Sequence, residues 1–417
     1  MDNFRQWTPH APMGWNSWDC FGASVTEAEV RANADYVAGR LKPFGYEYIV
    51  VDIQWYEPQA NSWAYHQFTD LAMDDECRLI PAASRFPSAA DGAGFAPLAA
   101  YVHQLGLKFG IHLMRGIPRQ AVHQNRTFAG GRYAARDVAA NNICPWNSDM
   151  YGLDMTQPGA QVYYDQLMAL YASWGVDFLK VDDICDSRLY GMLQPEIQAI
   201  RRAIDQTGRP MVLSLSPGPA DIEKGAFLQQ NANMWRLTDD FWDTWDQLKA
   251  MFPVVAKWAP FVREGNWPDP DMLPLGAIRQ RAREKDPTQP RSRFTKAESQ
   301  TMLTLWSLLR APLFLGGDLT YGGEEEALFT NPALLTMRQT LQDAWQEAAD
   351  DTTVVWRGIS ADQQYLAVFN LTDKATALAA SMQLPAAARS VWQPAAGAKA
   401  LIPAHGVGLW AFAPATR

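Results

Sequence analysis

The feature that most constrains this chain is an alternation, repeated eight times before about residue 345, of a short apolar run and a longer polar or amphipathic stretch. The short runs are Met13–Asn16, Tyr46–Asp52, Lys108–Leu113, Phe178–Asp182, Met211–Ser214, Met234–Leu237, a segment near Trp267–Leu273, and Leu313–Gly316. Among the stretches between them, Glu27–Leu41, Phe95–Leu105, Ala160–Trp174, Pro195–Thr207 and Lys296–Leu309 carry apolar residues three and four apart, which predicts helices with one buried face. Strand and helix in strict alternation build a parallel sheet, because each helix is the crossover that restores the strand direction. Eight units favour an α/β fold closed into a (β/α)8 TIM barrel over an open sheet. No GxGxxG follows the first strand and no GxxxxGK[ST] occurs, so the dinucleotide and P-loop versions of the architecture lack their phosphate-binding turns.

Two connections are long for a compact barrel, roughly Gln54–Gly94 after the second strand and Met114–Thr156 after the third. Both leave the carboxyl ends of strands, where barrel enzymes build their sites, so both are expected to be functional loops. After about residue 345 the texture changes to short, often alternating runs: Thr353–Trp356, Tyr365–Asn370, Thr376–Leu384, Ser390–Trp392 and Val407–Phe412. Broken by Gly, Pro, Asp and Asn, they predict a small antiparallel β-sandwich. The expected organisation is a catalytic barrel over 1–340 and a sandwich over 345–417 that packs against it.

Charge and cysteine usage narrow the partners. A net charge of −9 supplies no basic excess to neutralise phosphates, which argues against nucleic acid. No run approaches the roughly 18 apolar residues of a membrane helix, and MDNFRQWTPHAPMGW has neither the basic start nor the apolar run of a secretory signal. Cys20, Cys77, Cys144 and Cys185 form no CxxC pair and have no His at metal-ligand spacing, so no metal is expected and a cytoplasmic location is. Seventeen Trp and fourteen Tyr suit stacking on sugar C–H faces, although most aromatics in most proteins are core.

In a barrel, a polar side chain at the carboxyl end of an apolar strand is the informative event. Val176-Asp177-Phe178-Leu179-Lys180-Val181-Asp182-Asp183 ends with a cation and two acids, and alternation puts Lys180 and Asp182 on one face. A buried Lys beside Asp182 would hold that carboxylate ionised, as a nucleophile requires; a salt bridge closing the barrel mouth is the structural alternative. Trp235-Arg236-Leu237-Thr238-Asp239-Asp240 places Arg236 to clamp a substrate oxygen while Asp240 reaches the scissile bond. In Trp267-Pro268-Asp269-Pro270-Asp271 the prolines fix the backbone that carries the acids. Asp52 ends the second strand ahead of Ile53, Gln54 and Trp55. Two carboxylates about 5 Å apart across such a site would give retaining glycoside hydrolysis.

Taken in order, these residues resemble glycoside hydrolase family 27, the α-galactosidase (melibiase) family, along nearly the whole chain. The resemblance rests on Met13-Gly14-Trp15-Asn16-Ser17-Trp18, Gly45-Tyr46-Glu47-Tyr48 leading to Asp52, Gly106-Leu107-Lys108-Phe109-Gly110-Ile111 and Lys180-Val181-Asp182. It continues through Trp235-Arg236 with Asp240, Asp269-Pro270-Asp271-Met272-Leu273 and Ala311-Pro312-Leu313-Phe314. It implies Asp182 as nucleophile, Asp240 as acid/base, and sugar contacts from Trp18, Asp52, Lys180, Arg236 and Asp271. It implies no metal or organic cofactor, a carboxy-terminal β-sandwich, a glycoside as substrate, and is compatible with a homo-oligomer.

The departures bear on specificity. Galactosidase members end the second strand with two aspartates followed by Cys and Trp, whereas here the run is Asp52-Ile53-Gln54-Trp55, and the usual Tyr after Gly-Ile is His112. An acid pair there suits the 4- and 6-hydroxyls of galactose; burying a hydroxyl against Ile53 would cost roughly 1–3 kcal/mol. A β-L-arabinopyranoside shares the ring stereochemistry of an α-D-galactopyranoside but lacks the hydroxymethyl group. The run therefore resembles the β-L-arabinopyranosidase branch of the family, with Ile53 and Trp55 near the sugar and His112 as a substrate hydrogen-bonder. The alternative is an α-galactosidase in which Ile53 only packs. More distant readings are a Schiff-base aldolase using Lys180 and a non-catalytic sugar-binding protein.

Overall fold

The computed structural model describes residues 2–281, 290–378, 382, 384–393 and 401–414. Eight parallel strands form its centre: β1 (Met13–Asn16), β2 (Tyr48–Val51), β3 (Lys108–Met114), β4 (Phe178–Asp182), β5 (Val212–Leu215), β6 (Met234–Arg236), β7 (Trp267–Asp269) and β8 (Leu313–Leu315). The pairing order runs β7-β6-β5-β4-β3-β2-β1-β8. A parallel bridge between Leu273, just past β7, and Leu315 on β8 closes the ring. Each strand is followed by a helix: α1 (Glu27–Tyr36), α2 (Ala96–Gln104), α3 (Pro158–Trp174), α4 (Gln194–Thr207), α5 (Gly225–Asn231), α6 (Trp245–Trp258), α7 (Lys296–Leu309) and α8 (Pro332–Thr340).

Local chemistry sets the ends of these elements. Thr26 and Glu29 form a capping box at the start of α1, and Thr295 and Glu298 do the same for α7. Gly175 and Gly208 end α3 and α4 in the left-handed conformation that glycine adopts without a Cβ penalty. Strand alternation then divides the core into two shells. Tyr48, Val50, Phe178, Val212, Met234, Trp267 and Phe314 fill the inside of the ring. Ile49, Val51, Ile111, Leu179, Val181, Leu213 and Leu215 point outward into a larger core shared with the helices. Register places Lys180 level with His112 on one side and Ser214 on the other, so the polar inward residues stand in one layer above the apolar plug.

The expected strand bounds hold for β1 and β4 and shift by a few residues elsewhere. The predicted helix Glu27–Leu41 divides, α1 ending at Tyr36 and Val37–Leu41 forming a π turn. Helix α6, which the sequence reading did not name, carries Pro253 inside it; that proline is on the exposed face, where losing one backbone donor is tolerated. The long connection after β2 has little regular structure beyond a Met73–Leu79 bridge and a 3-10 stretch at Pro87–Gly92. The connection after β3 is not structureless: Ile117–Pro118, Met150–Leu153 and Ala139–Ile143 form a three-stranded sheet, and Thr127–Phe128 pairs with Tyr133–Ala134.

The chain ends in an antiparallel five-stranded sheet of β9 (Asp343–Ala349), β10 (Thr353–Ile359), β11 (Gln364–Asn370), β12 (Arg389–Ser390) and β13 (Val407–Phe412), ordered β9-β10-β11-β13-β12. Its first strand, Asp343-Ala344-Trp345-Gln346-Glu347-Ala348-Ala349, is mostly exposed and lacks strict apolar–polar alternation in the sequence. One face, with Trp356, Phe369 and Leu409, joins the barrel core; the other buries Val355, Leu366, Val368 and Trp410 beneath Leu378, Leu384, Ala388 and Ile402. Of the run Thr376–Leu384, residues 379–381 and 383 lie outside the described residues, and Thr376 bridges Ile402. All four cysteines are buried and unpaired. Among the described residues, no helix is long and apolar enough to cross a membrane.

Candidate active site

At the carboxyl end of the ring lies a cleft of ≈ 760 Å³, counted to its open mouth, into which Trp18, Asp52, Ile53, Lys180, Asp182 and Asp240 all project. Asp182 ends β4 half-buried, and its Oδ2 lies 3.0 Å from His112 Nε2 of β3. Its Oδ1 accepts the backbone N–H of Asp183 at 3.1 Å, a donor aimed by the left-handed backbone of Asp183 (φ 55°). Burial alone would raise this carboxyl; the His112 bond and the charges of His112, Lys180 and Arg236 outweigh it and hold Asp182 well below the ordinary carboxylate range. Asp182 is thereby kept ionised.

Lys180 Nζ donates to Asp52 Oδ2 at 2.8 Å, and Asn16 Nδ2 donates to the same oxygen at 2.8 Å. Asp52 Oδ1 takes the Ile53 N–H at 2.8 Å, so the acid at the end of β2 is fixed from both sides. Burial would depress the Lys180 ammonium, but Asp52 and Asp182 raise it above the ordinary value. An amine held in its charged form is a poor nucleophile, which argues against the Schiff-base reading.

Asp240 sits in the loop after β6 with 55% of its side chain open to the cleft, and Arg236 NH2 lies 3.2 Å from its Oδ1. The same guanidinium nitrogen is 2.8 Å from Asp271 Oδ2. Asp271 adopts φ 86° after the two prolines and also accepts the Phe241 N–H at 2.8 Å. Desolvation by the cleft walls pushes the Asp240 carboxyl up to about 6; Arg236 and Lys180 pull against this, and the charges of Asp271 and Asp182 add to it. The net direction is upward. Two carboxyls in one hollow thus have opposite perturbations, one held ionised and one able to carry a proton near neutrality.

Three expected contacts take a different form. Trp55 has no exposed surface; its ring packs edge-on against Tyr56, Phe95, Tyr171 and Trp174, and its Nε1 donates to the His112 carbonyl at 2.8 Å. Trp55 is a core residue that carries β3 and offers no face to a sugar. His112 is likewise buried, and its Nε2 is engaged by Asp182 rather than open to substrate. Arg236 is only 3% exposed and spans Asp240 and Asp271, so it orients two acids rather than presenting a free fork. Asp183 is paired with Arg115 at 2.7 Å beneath the floor, and Asp239 with Arg188 at 3.1 Å on the rim.

Reading the sequence missed five lining residues: Trp63, Tyr65, Trp146, Arg188 and Pro217. Trp63, Tyr65 and Trp146 come from the two long connections, so loop length and aromatic content together were the available signal. Tyr65 stacks on Trp18 with centroids 6.0 Å apart and meets Trp146 at 5.7 Å. Among the described residues, no cluster of three or more His, Cys, Asp or Glu has a metal-binding arrangement.

The chain matches the family described as Alpha galactosidase A (Melibiase_2) over residues 10–157 and 153–340. It is 50% identical, with a TM-score of 0.95 and 99% of each chain covered, to an Asp→Ala variant of a GH27 β-L-arabinopyranosidase from Geobacillus stearothermophilus solved in complex with arabinose. A putative α-N-acetylgalactosaminidase from Bacillus halodurans is 46% identical, with a TM-score of 0.84 and 97% of this chain and 98% of that one covered. Among curated proteins, α-galactosidase 3 of Arabidopsis thaliana is 26% identical over 91% of this chain and 75% of its own length.

Proposed function

The chain belongs to glycoside hydrolase family 27, and on that premise we propose that it is a retaining exo-glycosidase releasing terminal β-L-arabinopyranosyl groups, with side activity on α-D-galactosides. Asp182, ionised at the end of β4, attacks the anomeric carbon while Asp240 protonates the leaving oxygen. The product of this step is a glycosyl ester on Asp182. Asp240, now a carboxylate, takes a proton from water, which attacks the same carbon and frees the sugar and Asp182. Lys180 and Asp52 are placed for ring hydroxyls, the 2.8 Å bond between them fixing both, and Trp18 for the apolar face of the ring.

The observation that carries the choice of sugar is Ile53, which lines the cleft beside Asp52 with an apolar surface where a hydroxymethyl group would need a hydrogen-bond partner. Curated relatives from Arabidopsis thaliana and Cyamopsis tetragonoloba are named α-galactosidases, which favours the second reading, an α-galactosidase. The unpaired cysteines support a reducing, cytoplasmic setting. A side-by-side assay of 4-nitrophenyl β-L-arabinopyranoside and α-D-galactopyranoside decides: kcat/KM is expected to favour the pentoside, and preference for the galactoside would establish the second reading.

A further inference from the structure

Trp63 is 42% exposed, an unusual state for the largest apolar side chain, and it lies on the wall of the cleft that holds Asp182 and Asp240. Its backbone packs against the segment after β1. Ala23 N–H donates to the Ser62 carbonyl at 3.1 Å, and Gly22 (φ 56°) comes so close that a Cβ there would lie 2.5 Å from the Trp63 Cα. Only a glycine at position 22 allows this approach. An open indole on a pinned backbone is a prepared platform, since a bound ring costs it little ordering. Beside it Tyr65 and Trp146 continue an aromatic wall supplied by the loops after β2 and β3. The loops after β4 and β6 supply a different lining, the exposed Arg188–Asp239 ion pair next to Asp240.

Resting on the glycosidase reading, we infer that the outer cleft is a leaving-group subsite for a second neutral pyranose, whose C–H face stacks on Trp63 while Arg188 and Asp239 take its hydroxyls. On that reading the sugar whose bond breaks lies against Asp182, and the leaving oxygen is protonated by Asp240, whose side chain is 55% exposed and adjoins the rim acid Asp239. Whatever that oxygen belongs to must lie outward, against the indole and the ion pair. Stacking suits a hydrated sugar because it removes only the apolar C–H face from water and leaves the hydroxyl edge for charged partners at the rim.

The test compares Trp63→Ala, Trp63→Phe and wild type on a glycosyl fluoride and on a disaccharide of the same terminal sugar. The fluoride leaving group is too small to reach the mouth, so the ratio of kcat/KM on the disaccharide to that on the fluoride isolates the outer region. Trp63→Ala is expected to lower this ratio about 10-fold, with Trp63→Phe restoring most of it. An unchanged ratio, whether because both substrates suffer alike or because neither does, overturns the subsite. Which fluoride the wild type accepts, β-L-arabinopyranosyl or α-D-galactopyranosyl, tests the sugar assignment separately, and the ratio is taken in the accepted sugar.

Discussion

His112 Nε2 lies 3.0 Å from Asp182 Oδ2, and the imidazole reaches it from a position with no solvent exposure. Its hydrogen bond is the leading influence that opposes burial and keeps the Asp182 carboxyl ionised. The backbone that carries the ring is held in turn, because the Trp55 indole donates to the His112 carbonyl at 2.8 Å. A residue of β3 therefore acts with Lys180 and Arg236 to keep one on β4 ionised.

Replacing His112 by Phe removes that bond but keeps a ring in the barrel. The Asp182 carboxyl then rises, so the acid limb of the kcat/KM–pH profile should move to higher pH. An unmoved limb would leave Lys180 and Arg236 as the groups that hold the carboxylate.

Asp240 donates only while protonated, so kcat/KM should fall as pH rises through about 6. The Asp271 charge is one cause of the upward shift, and Asp271 shares Arg236 with Asp240. Asp271→Asn takes away that charge and leaves Arg236 to Asp240, both of which lower the carboxyl. The basic limb is expected to move down in pH, and an upward move would contradict the electrostatic account.

Asp182→Ala should lose nearly all turnover while the cleft still binds sugar. Azide added to this variant should occupy the vacated space and attack the anomeric carbon, giving a glycosyl azide of inverted configuration, identified by NMR. A product of retained configuration would exclude Asp182 as the nucleophile.

Ile53→Asp places a second carboxylate at the end of β2, next to Asp52. Preference should shift from arabinopyranoside towards galactoside by about 10- to 200-fold, the range open to one altered pocket contact. Equal effects on both sugars would mean that Ile53 acts through packing alone.

The chemistry-bearing strand ends were legible in the chain because each couples an apolar run to an abrupt acid. Asp52, Asp182 and Asp240 follow such runs, and all three reach one hollow. Trp55 shows the limit of that signal. It stands three positions after Asp52, yet the turn at Gln54 (φ 61°) sends its ring outward among Phe95, Tyr171 and Trp174. Trp63, eight positions further on, carries no comparable mark in the sequence and reaches the cleft mouth because its loop is held against Gly22.

Periodicity and strand-end acids by themselves determined the eightfold α/β alternation, the inward direction of Lys180 and Asp182, and the change of architecture near residue 345. Those are local properties, carried by side-chain alternation and helical spacing within a single element. Only the closed tertiary structure decided that Arg236 would bridge Asp240 and Asp271, that His112 would serve the nucleophile, and that loops after different strands would share one aromatic wall. Each of these depends on distances between elements remote in sequence, and such distances exist only after the ring has closed and its loops have packed.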